Sequence, residues 1–320
     1  MTSLWEDVFD QPEPEIEKVS IVPKDEHVNI LKRMDDYEKN HCWQYDIRLK
    51  NMEQDLIDVG LTKEITDNLR VSDFEFRFVE DKKERQKLIE FIKRHEWLGN
   101  LSQFTTHWFG AYYNDILSGV VLMNMPNAFS NVVGENTKNL ERLISRGACI
   151  SWSPKNLASS MLMWCINWMV ANTRYRVFSA YSDPTAKELG TIYQACNFYY
   201  IGQKSGTTKR YVNPFTGRLV SDRFFRARSA YKQYAKQLGI EWQKNWNNDQ
   251  SILWHNMPKE IEQQLRQQSK KMQSEAKYFT FPPKHKYIYI KGKTKKEDKM
   301  LKTIFMEKTK VYDYPKKRGN

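Results

Sequence analysis

Between residues 74 and 201 the hydrophobic pattern switches repeatedly between a period of two and the period of a helix, and no other feature constrains the fold as tightly. Phe74-Glu-Phe-Arg-Phe-Val79 alternates like a strand, and residues 82–94 place Leu88, Ile89, Phe91 and Ile92 on a helical face. Residues 107–113 and 116–123, joined by Asn114-Asp115, predict a hairpin. Residues 143–152 predict a further strand, ended by Ser153-Pro154, and residues 156–172 a strongly apolar helix. A buried strand over 176–182, a short helix over 185–196 and a strand over 198–201 complete the series. Such alternation predicts a mixed α/β sheet flanked by helices and excludes a bundle or a β-sandwich.

The flanking stretches have other patterns. Residues 1–24 carry Pro12, Pro14 and Pro23 among acids and predict an extended arm. Residues 25–69 are polar and helical, with Ile30, Leu31, Met34 and Tyr37 at helical spacing. Residues 220–275 are again polar and helical, and Lys286-Tyr-Ile-Tyr-Ile-Lys291 predicts a strand that returns to the main sheet. The expected organisation is an acidic N-terminal arm and helical extension (1–70), an α/β core (71–204), a helical basic subdomain (205–277), and a returning strand with a basic tail (278–320).

Charge is distributed unevenly along the chain. The net +12 divides into −8 for residues 1–70, +9 for 71–258 and +11 for 259–320. A basic body with a more basic tail is the footprint of a polyanion binder. Tyr211, Phe215, Phe224, Phe225, Tyr231, Tyr234, Trp242, Trp246, Trp254, Tyr287, Tyr289, Tyr312 and Tyr314 stand among those cations, where rings can stack on bases or fill a core. The acidic segment suits either an intramolecular cover or a protein partner. No run of about 18 apolar residues suggests a membrane span, and residues 1–17 do not read as a secretory signal. Cys42, Cys149, Cys165 and Cys196 are scattered without CxxC spacing, which predicts a reduced, cytoplasmic protein. The six histidines lack ligand spacing, so no metal is expected. P-loop, dinucleotide-binding and GxSxG motifs are absent, and only Asn213-Pro-Phe215 approaches an adenine methyltransferase motif.

Three polar clusters fall at strand-to-helix junctions, where open α/β sheets place ligands. In the first, a strand carries Arg146, and a loop delivers Pro154-Lys155-Asn156 to a helix start, a natural pyrophosphate or anion site, with Ser159 in the first turn. Taken alone, Ser159 suits helix capping or packing better. The second is Tyr181-Ser-Asp-Pro184, whose Asp183 could orient or deprotonate an amine or cap the next helix. The third is Gly190-Thr-Ile-Tyr-Gln194, in which Tyr193 suits a proton donor, a stacking ring or a core tyrosine.

Read together, Arg146, Pro154-Lys-Asn-Leu-Ala-Ser159, Ser182-Asp183-Pro184, Gly190-Thr-Ile-Tyr193-Gln194-Ala195 and Lys284-His-Lys-Tyr287 resemble, in order and spacing, the Mom family of phage DNA-modification proteins, a divergent branch of the GNAT acetyltransferase superfamily. The resemblance covers residues 73–204 well and 284–290 weakly. It implies a GNAT-like fold and transfer of an acetamido (carbamoylmethyl) group to adenine N6 of double-stranded DNA, which blocks restriction. The implied catalytic set is Arg146, Ser159, Asp183 and Tyr193. Pro154, Lys155, Asn156 and Ser159 would bind the donor, acetyl-CoA or a related acyl or glycyl compound. Trp97, Tyr181, Gln194, Lys284 and Lys286 are the expected substrate contacts. Two departures stand out: Arg94-His95-Glu96-Trp97 replaces the family's Asn-His-Tyr segment, and the pyrophosphate loop lacks the glycines of ordinary acetyltransferases.

Adenine N6 lies inside the base pair, so this chemistry requires a flipped base. Asp183 would draw charge from the weakly nucleophilic amine, Arg146 would hold an anionic part of donor or DNA, and Tyr193 would act as acid or base partner. Two rival readings remain: an acetyltransferase acting on a protein or small amine, and a nucleic-acid-binding protein without chemistry.

Overall fold

The computed structural model describes residues 42–99, 101, 104–134, 139–205, 209–248 and 251–316. The arm and the helix expected around Ile30–Tyr37 lie outside the described residues. In chain order come α1 (Trp43–Val59), α2 (Lys63–Asp67), β1 (Glu75–Phe78), α3 (Lys82–His95), β2 (Thr105–Tyr113), β3 (Ile116–Asn124), β4 (Glu141–Cys149), α4 (Leu157–Asn172), β5 (Val177–Ser182), α5 (Thr191–Ala195) and β6 (Tyr199–Ser205). Then follow β7 (Lys209–Val212), β8 (Leu219–Val220), α6 (Arg228–Gln237), α7 (Lys259–Glu275), β9 (Tyr278–Thr280), β10 (Lys284–Ile290) and α8 (Lys295–Lys308).

Seven strands form the main sheet in the order β1-β2-β3-β4-β5-β10-β6, antiparallel except for β4 and β5. The β2–β3 hairpin turns through Asn114 (φ 45°) and Asp115 (φ 63°), the left-handed pair that suits a tight two-residue turn. The α4 helix is apolar because it is covered: Met161, Leu162, Cys165, Ile166 and Met169 pack on Phe109, Met123, Ile144, Phe178 and Tyr287. Leu88, Phe91 and Ile92 of α3 join Val120, Leu122, Ala148 and Ile150 in a second cluster, and Leu301 and Phe305 of α8 join Val177, Ile288 and Ile290 in a third. Strand residues of opposite parity feed different clusters, so the sheet is covered on both faces.

Two expectations are corrected. The helix expected over 185–196 is broken into a 3-10 turn (Pro184–Ala186) and the short α5, because Lys187 (φ 54°) and Gly190 (φ 68°) adopt left-handed backbone. A Cβ at Gly190 would also stand 2.5 Å from the Tyr287 ring. The stretch between β6 and β10 is not purely helical: beside α6 and α7 it carries a second sheet, β8-β7-β9. Asn213 starts the β7–β8 turn, its Oδ1 accepting from the Phe215 N–H at 2.8 Å, so Asn213-Pro-Phe215 is a turn. This insertion has its own core of Ala230, Tyr231, Tyr234, Trp246, Met257 and Leu265. Several rings singled out for stacking, Phe225, Tyr231, Tyr234, Trp246 and Tyr287, are therefore core.

Candidate active site

The two parallel strands pair over only half their length, from Glu141–Val177 to Ile144–Ala180. There β4 bulges: Leu122 pairs with Arg146 but Met123 with Ile144, leaving Ser145 as the extra residue. The Ser145 hydroxyl is fixed by Leu122 O at 3.0 Å and Asn124 Oδ1 at 2.8 Å. Beyond the bulge β4 stays on β3 and no longer pairs with β5. A crevice of about 390 Å³ lies here, lined by Arg146, Tyr181, Asp183 and Tyr193, by Glu96 and Trp97 from the α3–β2 connection, and by Lys284 at the start of β10.

Its polar groups are densely coupled. Glu188 accepts from Trp97 Nε1 at 2.9 Å and from the Asp183 N–H at 3.0 Å, so one carboxylate joins the α3–β2 connection to the end of β5. Burial pushes its pKa up to about 7, and neighbouring Glu96 and Asp183 add to the rise. Glu96 is pushed upward by burial as well, opposed by the Arg146 guanidinium, whose Nε stands 3.7 Å from Glu96 Oε1. Asp183 accepts from the Thr185 N–H at 3.0 Å and pairs with Lys284 Nζ at 3.0 Å. Burial raises the Tyr193 phenol far above its usual range and keeps it protonated. Its ring lies 5.3 Å from both Phe198 and Tyr287.

Arg146, Asp183, Tyr193, Trp97, Tyr181 and Lys284 thus meet around one crevice. Other predicted residues lie outside its lining. The Ser159 hydroxyl donates to Asn156 O at 3.1 Å in the first turn of α4, and Ala158, Met161 and Leu162 face the crevice instead. Pro154, Lys155 and Asn156 form the approach to α4, with Asn156 left-handed (φ 69°) at the cap. Gln194 turns to Leu189 O at 2.7 Å. Lys286 is buried opposite Tyr181, its Nζ 5.4 Å from the centre of that ring.

Sequence reasoning missed Glu96, Glu188 and the first turns of α1, whose Gln44, Tyr45 and Arg48 also line the crevice. Glu188 had a signal: an acid five residues after Asp183 and two before Gly190. Among the described residues no group of three or more His, Cys, Asp or Glu is arranged to hold a metal ion, and no helix is long and apolar enough to cross a membrane.

Among the described residues, a seven-stranded mixed sheet flanked by helices and opening beside the β4–β5 parallel pair is the mixed α/β fold that the alternating periodicities predict. The chain belongs to the Mom protein family, whose model matches residues 77–316. Among solved structures it is similar to a GNAT family acetyltransferase from Elizabethkingia anophelis with acetyl-CoA bound (9% identity, 68% of this chain and 99% of that one, TM-score 0.30). It is also similar to an N-acetyltransferase from Staphylococcus aureus (15% identity, 43% and 88%, TM-score 0.29) and an N-acyl amino acid synthase from uncultured soil microbes (14% identity, 40% and 80%, TM-score 0.28). No curated protein matches the sequence.

Proposed function

We propose that this protein transfers an acetamido-type (carbamoylmethyl) group to adenine N6 of a base flipped out of duplex DNA. The carrying observation is the convergence of Arg146, Asp183, Tyr193 and Trp97 on the crevice where β4 and β5 part, in a chain of this family.

The residues divide the work by chemistry. Trp97, held by Glu188, offers a ring beside the crevice on which a flipped base can stack. Asp183 accepts from the exocyclic amine while Lys284 keeps its other oxygen in place. Tyr193, protonated throughout the physiological range, serves as a proton donor. Glu188 titrates near neutrality and can take up a proton at the same site. Arg146 faces an anionic part of donor or DNA.

The slot between β4 and β5 and the start of α4 fit an elongated, partly anionic donor such as an acyl-CoA. Asn156 at the α4 cap supplies no side-chain acceptor to the first-turn N–H groups, and those groups suit a pyrophosphate. An acyl-CoA bound there would lose its thiol and leave an N6 amide, whereas a carbamoylmethyl group joins N6 through its methylene carbon, so that product requires a donor whose leaving group departs from that carbon.

The basic insertion supports nucleic acid as acceptor. Lys232 and Lys236 of α6 and Lys270 and Lys271 of α7 are exposed, and the ends of the insertion, Ser205 and Lys284, are register partners, with Lys284 lining the crevice. The protein is expected to act in the cytoplasm, where DNA is available. Plasmid recovered from cells expressing the wild type should resist endonucleases that contact adenine N6, and plasmid from Asp183→Asn cells should be cut. Complete cutting of the wild-type plasmid would overturn the proposal.

A further inference from the structure

α1 docks on the molecule with an apolar side, Met52, Leu56 and Val59 against the second core cluster, and with a row of polar groups beside it. Gln44, Arg48, Asn51 and Asp55 recur at intervals of four, three and four residues, which places them on one helical face. Each contacts the chain beside a site residue. Gln44 Nε2 donates to His95 O at 2.6 Å and its Oε1 accepts from the Trp97 N–H at 3.2 Å, bracketing Glu96. Arg48 donates through Nε to Ser151 O at 2.7 Å, and through Nη2 to Ser153 O at 2.5 Å and to the Ser153 hydroxyl at 3.1 Å. Asn51 donates to Arg94 O at 3.0 Å. Asp55, 2% exposed, pairs with Arg94 Nη2 at 2.6 Å and accepts from the Ser151 N–H at 3.4 Å. The Trp43 ring meets Trp97 edge-on at 5.1 Å.

Two connections are gripped in this way. One, Glu96–Gly99, carries Glu96 and Trp97 into the crevice; the other, Ser151–Ser153, leads directly into Pro154 and the start of α4. The apolar contacts of Met52, Leu56 and Val59 bury α1 without fixing its direction. Hydrogen bonds to named carbonyls and N–H groups fix position, and a guanidinium fork bridging two carbonyls does so with more directional constraint than a single ammonium. Gln44, Tyr45 and Arg48 also line the crevice itself.

We infer that α1, which precedes the stretch matched by the family model, is a wall of the active site, and that Gln44 and Arg48 are positioning residues, Gln44 for the acceptor side through Trp97 and Arg48 for the donor side through the Ser151–Ser153 turn. The assignment of sides rests on the function proposed above; the clamp itself does not.

The test uses the full chain with Gln44→Ala, Arg48→Ala and Arg48→Lys. Hydrogen–deuterium exchange should accelerate about tenfold at residues 95–99 in Gln44→Ala and at 150–157 in Arg48→Ala, each leaving the other segment unchanged, as expected for losing one to two hydrogen bonds of ~1 kcal/mol. Arg48→Lys should recover only part of the protection. A duplex carrying 2-aminopurine in place of adenine should give a weaker unstacking signal at saturation with Gln44→Ala, and a wild-type signal with Arg48→Ala. Exchange at wild-type rates in both segments, or acceleration spread evenly over the chain, would overturn the clamp. Identical 2-aminopurine signals for the two variants would overturn the division of sides. A wild type that binds the duplex but leaves no modified nucleoside would count against the proposed function, and the exchange pattern would still decide the clamp.

Discussion

Replacing Glu188 by glutamine should change the sign of its effect on stability with pH. In the folded protein the carboxyl titrates near 7, against an ordinary value of 4.5. A carboxyl whose folded pKa is raised stabilises fully below the unfolded value and loses that contribution as pH climbs through the folded one. The window is therefore about pH 4.5 to 7, and a shift of this size corresponds to about 3 kcal/mol, an upper figure because the crevice admits solvent. Two histidines work in the opposite direction over much of the same range. Burial lowers His95 and His107 to about 4, so their contributions are lost as pH falls below 6.5. The wild-type curve alone is consequently blunted, and the difference between wild type and Glu188→Gln isolates the glutamate. Glutamine presents an N–H group where Glu188 accepts from Trp97 or Asp183, at a cost of about 1–3 kcal/mol at every pH. Urea titrations should find the variant less stable at pH 5 and equal to or more stable than wild type at pH 8. Difference curves that stay parallel from pH 4.5 to 8 would refute a buried, neutral Glu188.

Three further outcomes are expected. Gly190→Ala should cost about 2 kcal/mol or more in denaturant titrations, because it strains a left-handed position and drives a Cβ into Tyr287; a change under about 0.5 kcal/mol would contradict that packing. Lys232→Gln, Lys236→Gln and Lys270→Gln together should leave the thermal midpoint unchanged and reduce the salt slope of duplex binding by up to about 0.9 for each phosphate no longer neutralised, whereas an unchanged slope would remove the insertion from the interface. Phe305→Ala should destabilise by about 3–5 kcal/mol through the cavity left between α8 and β10, read by calorimetry, with a loss under about 1 kcal/mol contradicting the third core cluster.

The main sheet was legible because its strands and helices carry opposite periodicities, and the hairpin because Asn114-Asp115 is a turn pair. The 3-10 break after Asp183 was not: Lys187 gives no local warning of left-handed backbone, and Gly190 does so only once Tyr287 is seen beneath it. The small sheet of the insertion escaped because β7, β8 and β9 are two to four residues long, too short for a period to register. At the site, motif order led to Arg146, Asp183 and Tyr193, but burial gives Glu96 and Glu188 their character, and burial is a tertiary property. The α1 stripe was visible as Gln44, Arg48, Asn51 and Asp55, yet a polar face reads as a solvated one until its partners are known.

A crevice that modifies adenine in DNA leaves its product in the nucleoside pool. The most direct measurement is mass spectrometry of nucleosides digested from the DNA of cells expressing the wild type or Asp183→Asn at equal soluble levels. A new deoxyadenosine derivative is expected with the wild type, and its loss in the variant. An adenine pool that stays unmodified with folded wild-type protein, or a derivative that persists undiminished in Asp183→Asn, would contradict adenine modification at this crevice.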